Sequence, residues 1–148
     1  MKKFLKYATC LAILLIVIVL MTGCKVTGGG WFMDDENKCT FGLNAQGTKI
    51  GEGLLDWEYK GEFQFNDHNG TKIHAEVMQM TAWEDEYAEF SGMTDDGKVV
   101  VVGVTDQGEP GADAGDGIII WIDTPFWMPP TYAGELGGGN IQIHEVKD

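Results

Sequence analysis

Four carboxylates stand close together in a glycine- and proline-rich stretch of the chain. Asp106, Glu109, Asp113 and Asp116 fall within eleven residues. Hard cations such as Ca²⁺ prefer about six to eight oxygen ligands, which clustered carboxylates and turn carbonyls can supply. The spacing is not that of an EF-hand loop, so two interpretations stay open. The segment is either a candidate calcium site or a solvated acidic turn between two strands.

The histidines offer little further chemistry. Zinc requires three or four ligands that converge in the fold. His74 and His144 lie on the polar faces of predicted strands, and His68 lies in a turn, so we expect all three at the surface. The sequence also contains no Ser-His-Asp order, nucleophile elbow or phosphate-cradling loop. We therefore expect a protein that is not an enzyme.

The segment 121–132 (WIDTPFWMPPTY) is unusually aromatic and proline-rich. Phe126, Trp127 and Tyr132 are its candidate ligand-binding residues, since aromatic rings held by prolines could stack on sugars or contact a partner. The alternative is a loop that folds back and plugs one end of the sheet. Trp127 lies outside regular strand alternation, and two prolines follow soon after, so we expect its indole to point outward.

The first 24 residues combine a basic start, an apolar stretch and a cysteine. Three lysines in the first six residues precede an almost unbroken apolar stretch at 7–21, and Gly23 then precedes Cys24. This pattern resembles a bacterial or archaeal lipoprotein signal. The resemblance implies acylation of Cys24, cleavage just before it, and a location at the cell membrane or envelope, facing outside the cytoplasm. An uncleaved anchor and conventional secretion are the alternatives. The apolar stretch is shorter than the roughly 20 residues of a spanning helix.

We expect a signal peptide at 1–23, a flexible tether at 24–30 and a single β domain at 31–148. Cys10 would be lost with the signal and Cys24 acylated, which leaves Cys39 with no partner for a disulfide. Because Cys39 shares strand parity with apolar residues, we expect a buried small hydrophobe rather than a reactive thiol.

The charge balance excludes one class of partner. The whole chain has a formal charge of −13, and residues 24–148 keep seven lysines against 23 acidic residues, which gives −16. Such a chain is repelled by nucleic acids and by anionic lipid headgroups. We therefore expect no nucleic-acid partner.

Period-two alternation dominates the sequence after Cys24. Apolar and polar residues alternate over 39–45, 55–59, 63–65, 73–77 and 141–143, while 98–105 and 117–122 are apolar on both faces. This pattern is typical of antiparallel strands, the last two being central or covered on the outside. We predict an all-β fold, an antiparallel sandwich or small barrel of about seven to nine strands.

Turn residues punctuate these strands. The sequence predicts turns at 66–70, 95–97, 107–111 and 137–139. Strand parity predicts a core, whose expected members are Phe41, Leu43, Trp57, Phe63, Phe65, Ile73, Phe90, Ile118, Ile141 and Ile143.

Four motifs occur in an order that resembles a known family. They are Thr27–Trp31 (TGGGW), Phe41–Ala45 (FGLNA), Asp106–Ala112 (DQGEPGA) and Gly138–His144 (GGNIQIH). Together they resemble the post-choice-of-anchor domain of bacterial and archaeal surface proteins over about residues 27–144. The resemblance implies a non-catalytic surface module, with no ligand set to carry over.

The resulting expectation is a lipid-anchored surface β domain with a structural or ligand-binding role. One alternative is a carbohydrate-binding module that uses the Trp127 loop. Another is an unrecognised hydrolase. The expected partners are the membrane, through the lipid anchor, and a glycan or a surface protein. No cofactor is expected other than the candidate calcium ion.

Overall fold

The computed structural model describes residues 23–145 and shows an all-β protein. The predicted signal segment, apart from Gly23, lies outside the described residues. Eight antiparallel strands close into one barrel, which confirms the predicted fold class in its barrel form. A one-turn helix, α1 (Gly111–Ala114), lies between the sixth and seventh strands. The strands are β1 (Gly23–Asp34), β2 (Asn37–Lys49), β3 (Trp57–Asn66), β4 (Lys72–Trp83), β5 (Tyr87–Thr94), β6 (Val99–Thr105), β7 (Gly117–Ile122) and β8 (Tyr132–Glu145).

Each strand pairs with the next along the chain, and β1 pairs with β8 to close the barrel. Period-two alternation places one set of side chains inside and the other outside. Across β2 and β3, for example, Phe41 lies opposite Phe65 and Leu43 lies opposite Phe63. All four point into the barrel and are buried.

The predicted core is largely confirmed, because eight of the ten expected residues are buried. Trp57 and Ile143 are only half-buried; Ile143 packs against the core, and the Trp57 ring contacts those of Tyr59 and Trp83. They lie near the ends of their strands, where the barrel opens. Cys39 is fully buried, as expected.

The two strands that are apolar on both faces are β6 and β7, which lie side by side in the wall. Their inner residues, including Val102 and Ile120, are fully buried. On the outer face, Val101 and Ile119 are half-buried. An apolar strip therefore runs along the outside of this part of the barrel.

The up-and-down connectivity sorts the loops between two ends of the barrel. We call the end where β1 begins and β8 finishes the proximal end, and the opposite end the distal end. The proximal connections are 50–56, 84–86 and 106–116. The distal connections are 35–36, 67–71, 95–98 and 123–131.

The predicted flexible tether at 24–30 is wrong. These residues belong to β1, which pairs with β2 on one side and β8 on the other. The glycines serve close backbone approach: a Cβ on Gly28 would meet the carbonyl oxygen of Asn140, and one on Gly30 would meet that of Gly138. A glycine run that suggested flexibility therefore serves packing instead, and the barrel starts before residue 31.

The predicted turn at 137–139 is also wrong, since these glycines lie inside β8. The Trp31 indole occupies the space that side chains on Gly137 and Gly138 would need. A register shift between Trp31 and Phe32 accompanies this contact. Here glycine makes room for a large neighbouring side chain.

The strand predicted to include Leu55 begins later, at Trp57. Leu55 lies in the proximal connection 50–56 and is 94% exposed. Trp57 lies half-buried at the proximal rim, where its ring lies 5.2 Å from that of Trp83. The alternation of apolar residues therefore begins in the sequence before the strand itself begins.

Candidate functional site

The acidic segment 106–116 is built around Asp116, which is fully buried. One carboxylate oxygen accepts a hydrogen bond from the Gln107 amide at 2.8 Å, and the other accepts one from the Ile141 amide at 2.8 Å. The main-chain carbonyl of Asp116 also accepts a bond from the Leu136 amide. Asp116 thus joins the β6–β7 connection to β8.

Two more carboxylates attach the same segment to β8. Asp106 accepts hydrogen bonds from the Ile143 amide at 3.0 Å and from the Gly108 amide at 3.1 Å. Glu109 accepts side-chain bonds from Asn140 and Gln142 at 2.9 and 2.7 Å. These two bonds, Asn140 first, hold the pKa of Glu109 below its usual range.

The need for these carboxylates follows from unequal strand lengths. β7 has 6 residues and β8 has 14, and β7 pairs only with the first part of β8, up to Glu135. Beyond that point, the amides of Ile141 and Ile143 on this side of β8 need other acceptors. The carboxylates of Asp116 and Asp106 take the place of the missing strand.

The geometry does not support the calcium hypothesis. Within residues 23–145, no three His, Cys, Asp or Glu side chains are arranged to hold a metal ion. Asp106, Glu109 and Asp116 are engaged with β8 or with their own connection, and Asp113 is exposed on α1. The cluster is better explained as a closure for the barrel wall.

The histidines form separate surface contacts. His74 lies 2.8 Å from Glu62 on the neighbouring strand, and both side chains are exposed. The hydrogen bond to His74 lowers the pKa of Glu62. His68 contacts the hydroxyl of Thr40 at 2.9 Å. The described contacts do not bring these histidines to a common point.

The connection 123–131 at the distal end is held at both of its ends. Asp123 exchanges two hydrogen bonds with the main chain of Val99, at 2.8 and 3.0 Å. On the other side, Thr131 bonds both the Ile120 carbonyl and the Ile122 amide. The loop is therefore fixed to the wall at its base.

The tip of this connection is an exposed apolar surface. Phe126, Trp127 and Met128 are 66%, 74% and 50% exposed, and we call these three residues the distal apolar tip. The rings of Phe126 and Trp127 meet edge to face at 5.3 Å. The indole N–H of Trp121, in β7, donates a hydrogen bond to the Met128 carbonyl at 2.9 Å, which connects the main chain of the tip to the barrel wall. The plug interpretation is therefore not supported for Trp127.

Tyr132 does not belong to this surface. Its ring packs against that of Phe65 with centroids 4.6 Å apart, and its hydroxyl donates to Asp67 at 3.0 Å. The side chain is half-buried against the core. Of the three predicted ligand-binding residues, the structure brings Phe126 and Trp127 together and assigns Tyr132 to packing of the barrel.

Cys24 lies near the proximal rim with its side chain buried. It pairs with Gly47 of β2 and with Glu145 of β8. Burial, with a further contribution from Glu145, raises the pKa of its thiol to about 11. In this folded arrangement the thiol is protonated and enclosed, so reaction requires it to leave the rim.

Sequence reasoning missed one feature of the proximal end. Leu54 and Leu55, in the connection 50–56, are 95% and 94% exposed, and Ile50 is 66% exposed. The sequence signal for this turn is Gly51 and Gly53 before the two leucines and Asp56 after them. The alternation of apolar residues instead predicts that Leu55 lies in a strand.

No family model matches the chain, and comparisons with curated proteins and with solved structures return no match. Within residues 23–145, no helix combines the length and the apolar character needed to cross a bilayer.

Proposed function

We propose that this chain is a lipid-anchored surface module that binds a partner through the distal apolar tip and catalyses no reaction. The observation that carries the proposal is the exposure of Phe126, Trp127 and Met128 at the end of the barrel opposite Cys24. An anchor at the proximal end would leave this surface facing away from the membrane. The non-catalytic role is also what the resemblance to surface β domains implies.

The residues suited to chemistry support this proposal because they have structural tasks. Asp106 and Asp116 close the wall beside β8, and Cys39 lies in the core. By contrast, three neighbouring large apolar side chains at the distal tip remain exposed. Exposed apolar surface on a rigid support is typical of binding sites.

The anchor requires a local rearrangement at the proximal rim. A diacylglyceryl group is too large for the packed interior, so acylated Cys24 must withdraw from its pairs with Gly47 and Glu145. Val26 and the rest of β1 retain their partners. Because one acyl chain gives only marginal binding, about 10⁴ M⁻¹, two or three chains are needed for a stable anchor.

The surroundings of the tip favour a protein partner. The other distal connections carry Asp35, Glu36, Asp95 and Asp96. A partner with apolar and basic groups would complement both the tip and this acidic rim. A glycan is the second candidate, because the exposed face of Trp127 could stack on a sugar ring.

The test compares the full chain with its Trp127→Ala and Phe126→Ala variants in pull-downs from envelope extracts and on a glycan array. Met78→Ala is the matched control, since Met78 is 57% exposed in β4, away from the tip. We expect a protein to be captured by the parent and the control but not by the tip variants. Array binding lost on Trp127→Ala would favour the glycan, and equal capture by all variants would contradict a binding role for the tip.

The anchor has its own test, by mass spectrometry of the protein isolated from membranes. We expect an acylated N-terminal Cys24, and Cys24→Ala should block acylation and processing. An unmodified protein that begins elsewhere would contradict the anchor without bearing on the distal tip.

A further inference from the structure

The connection 50–56 displays two leucines in a defined turn. Leu54 and Leu55 are almost completely exposed. The turn is closed by hydrogen bonds from the Gly53 amide to the Asp56 carboxylate at 2.8 Å and from the Ile50 amide to the Asp56 carbonyl at 2.9 Å. These side chains therefore project from a structured turn, where the exposure of their apolar surface to water is unfavourable.

The turn lies beside the point where the chain enters the barrel. Gly23 pairs with Thr48, and the turn begins two residues after Thr48. Cys24, which pairs with Gly47, therefore lies at the same end of the barrel as the leucines, and the apolar stretch 7–21 precedes Cys24 in the sequence. An anchor at either of these positions would hold the leucine turn close to the bilayer surface.

The charge of the proximal end specifies the kind of lipid. The connections 50–56, 84–86 and 106–116 contain acidic residues and no lysine. The acidic residues of these connections outnumber the two lysines at the proximal ends of the adjoining strands, Lys25 and Lys49, so anionic headgroups are disfavoured and apolar insertion is the main favourable contact. A surface of zwitterionic lipids suits this combination.

We propose that Leu54 and Leu55 insert into the bilayer to which the chain is anchored, so that the barrel rests on its proximal end. This inference depends on the proposed membrane anchor. It adds a second point of contact, which fixes the orientation of the barrel and directs the distal apolar tip away from the membrane.

The test measures depth in phosphatidylcholine vesicles that carry the reconstituted full chain. A fluorophore is attached at Leu54→Cys, or at Asn69→Cys as the matched control in the exposed distal connection 67–71. Both variants carry Cys10→Ser, and the same background without a new cysteine serves as the labelling blank. Quenching by lipids brominated along their acyl chains then reports how deeply each position lies.

We expect several-fold stronger quenching at position 54 than at position 69, and weaker quenching at 54 when anionic phosphatidylglycerol is added. Flotation of the vesicles with equal, weak quenching at both positions would overturn the leucine contact and leave the anchor intact. A chain that does not float with the vesicles would overturn both. A Leu55→Asn change added to Leu54→Cys should reduce quenching without reducing flotation, because the anchor is unchanged.

Discussion

The carboxylate of Asp116 accepts a hydrogen bond from the Ile141 amide at 2.8 Å, across 25 residues of chain. Asp116 is fully buried, and its other carboxylate oxygen accepts a hydrogen bond from the Gln107 amide. This single side chain therefore supplies acceptors for two main-chain donors just before β7 begins, beyond the part of β8 that β7 covers.

Asp116→Ala should destabilise the fold by about 2–5 kcal/mol, because it leaves two main-chain donors without their acceptor. The free energy of unfolding is measured by urea denaturation followed by tryptophan fluorescence. The control is Asp113→Ala, which removes an exposed carboxylate from the same segment and should change stability by less than about 0.5 kcal/mol. Equal effects of the two changes would contradict the closure role.

Calcium should leave the melting curve unchanged. The carboxylates of Asp106, Glu109 and Asp116 already accept hydrogen bonds from the protein, and a cation would have to compete with these bonds. We expect the same melting temperature in millimolar Ca²⁺ and in a chelator. A rise that grows with calcium concentration would indicate binding to the native state by linkage, and would restore the calcium hypothesis.

Asp67 should contribute a pH-dependent part of the stability. Hydrogen bonds from the amides of Asn69 and Thr71 and from the Tyr132 hydroxyl hold the pKa of Asp67 below its usual range. A lowered carboxyl pKa stabilises the fold above the unfolded pKa of about 3.9, and the contribution is lost as the pH falls through the folded pKa.

Asp67→Asn should therefore be less stable than the parent at pH 7, and the difference should shrink below about pH 4. Urea midpoints between neutral and acidic pH measure this. Asp35→Asn removes a charge from an exposed position at the same end and is the control. A difference that stays constant with pH would show that the carboxylate charge of Asp67 is not what stabilises the distal end.

Cys39 should resist thiol reagents until the barrel unfolds. Its side chain is fully buried, and burial, together with the nearby Asp34 and Asp67, raises the pKa of the thiol. The native protein should therefore label at this position at the rate of unfolding, and urea should accelerate the reaction. Cys39→Ser identifies the signal. Rapid labelling of the native Cys39 thiol would contradict its place in the core.

Local patterns were sufficient to predict most of the core and at least part of every strand except β1 and β5. Phe41, Phe63 and Phe65 lie where alternation placed them, because inside and outside positions of a barrel strand differ by one residue. The exposure expected for Trp127 also agrees with the structure. These features depend on near neighbours in the sequence.

The features that were predicted wrongly from the sequence depend on contacts between segments that are distant along the chain. The role of Asp116 follows from the length of β7 relative to β8, which appears only when the barrel is closed. Glycines at 28–30 and 137–139 have the composition of a tether or a turn, yet their function is set by the opposite strand and by Trp31. Composition alone cannot distinguish a glycine that frees the backbone from one that makes room.

The contact between Trp31 and Gly137 gives the most direct test of that distinction. The Trp31 indole fills the space above Gly137, and the Lys38 ammonium lies 4.3 Å from the indole centroid. Gly137→Ala would push the ring away from its site, at a cost in folding free energy of about 1–3 kcal/mol as for other overpacked positions.

Gly42→Ala is the matched control, because Gly42 lies in β2 with nothing within 4 Å of its added Cβ. We expect it to be neutral or slightly stabilising, since alanine is less costly to order than glycine in a strand. Urea denaturation of both variants measures the difference, and a loss at Gly42 as large as that at Gly137 would show that strand glycines act through the backbone rather than through the space they leave for Trp31.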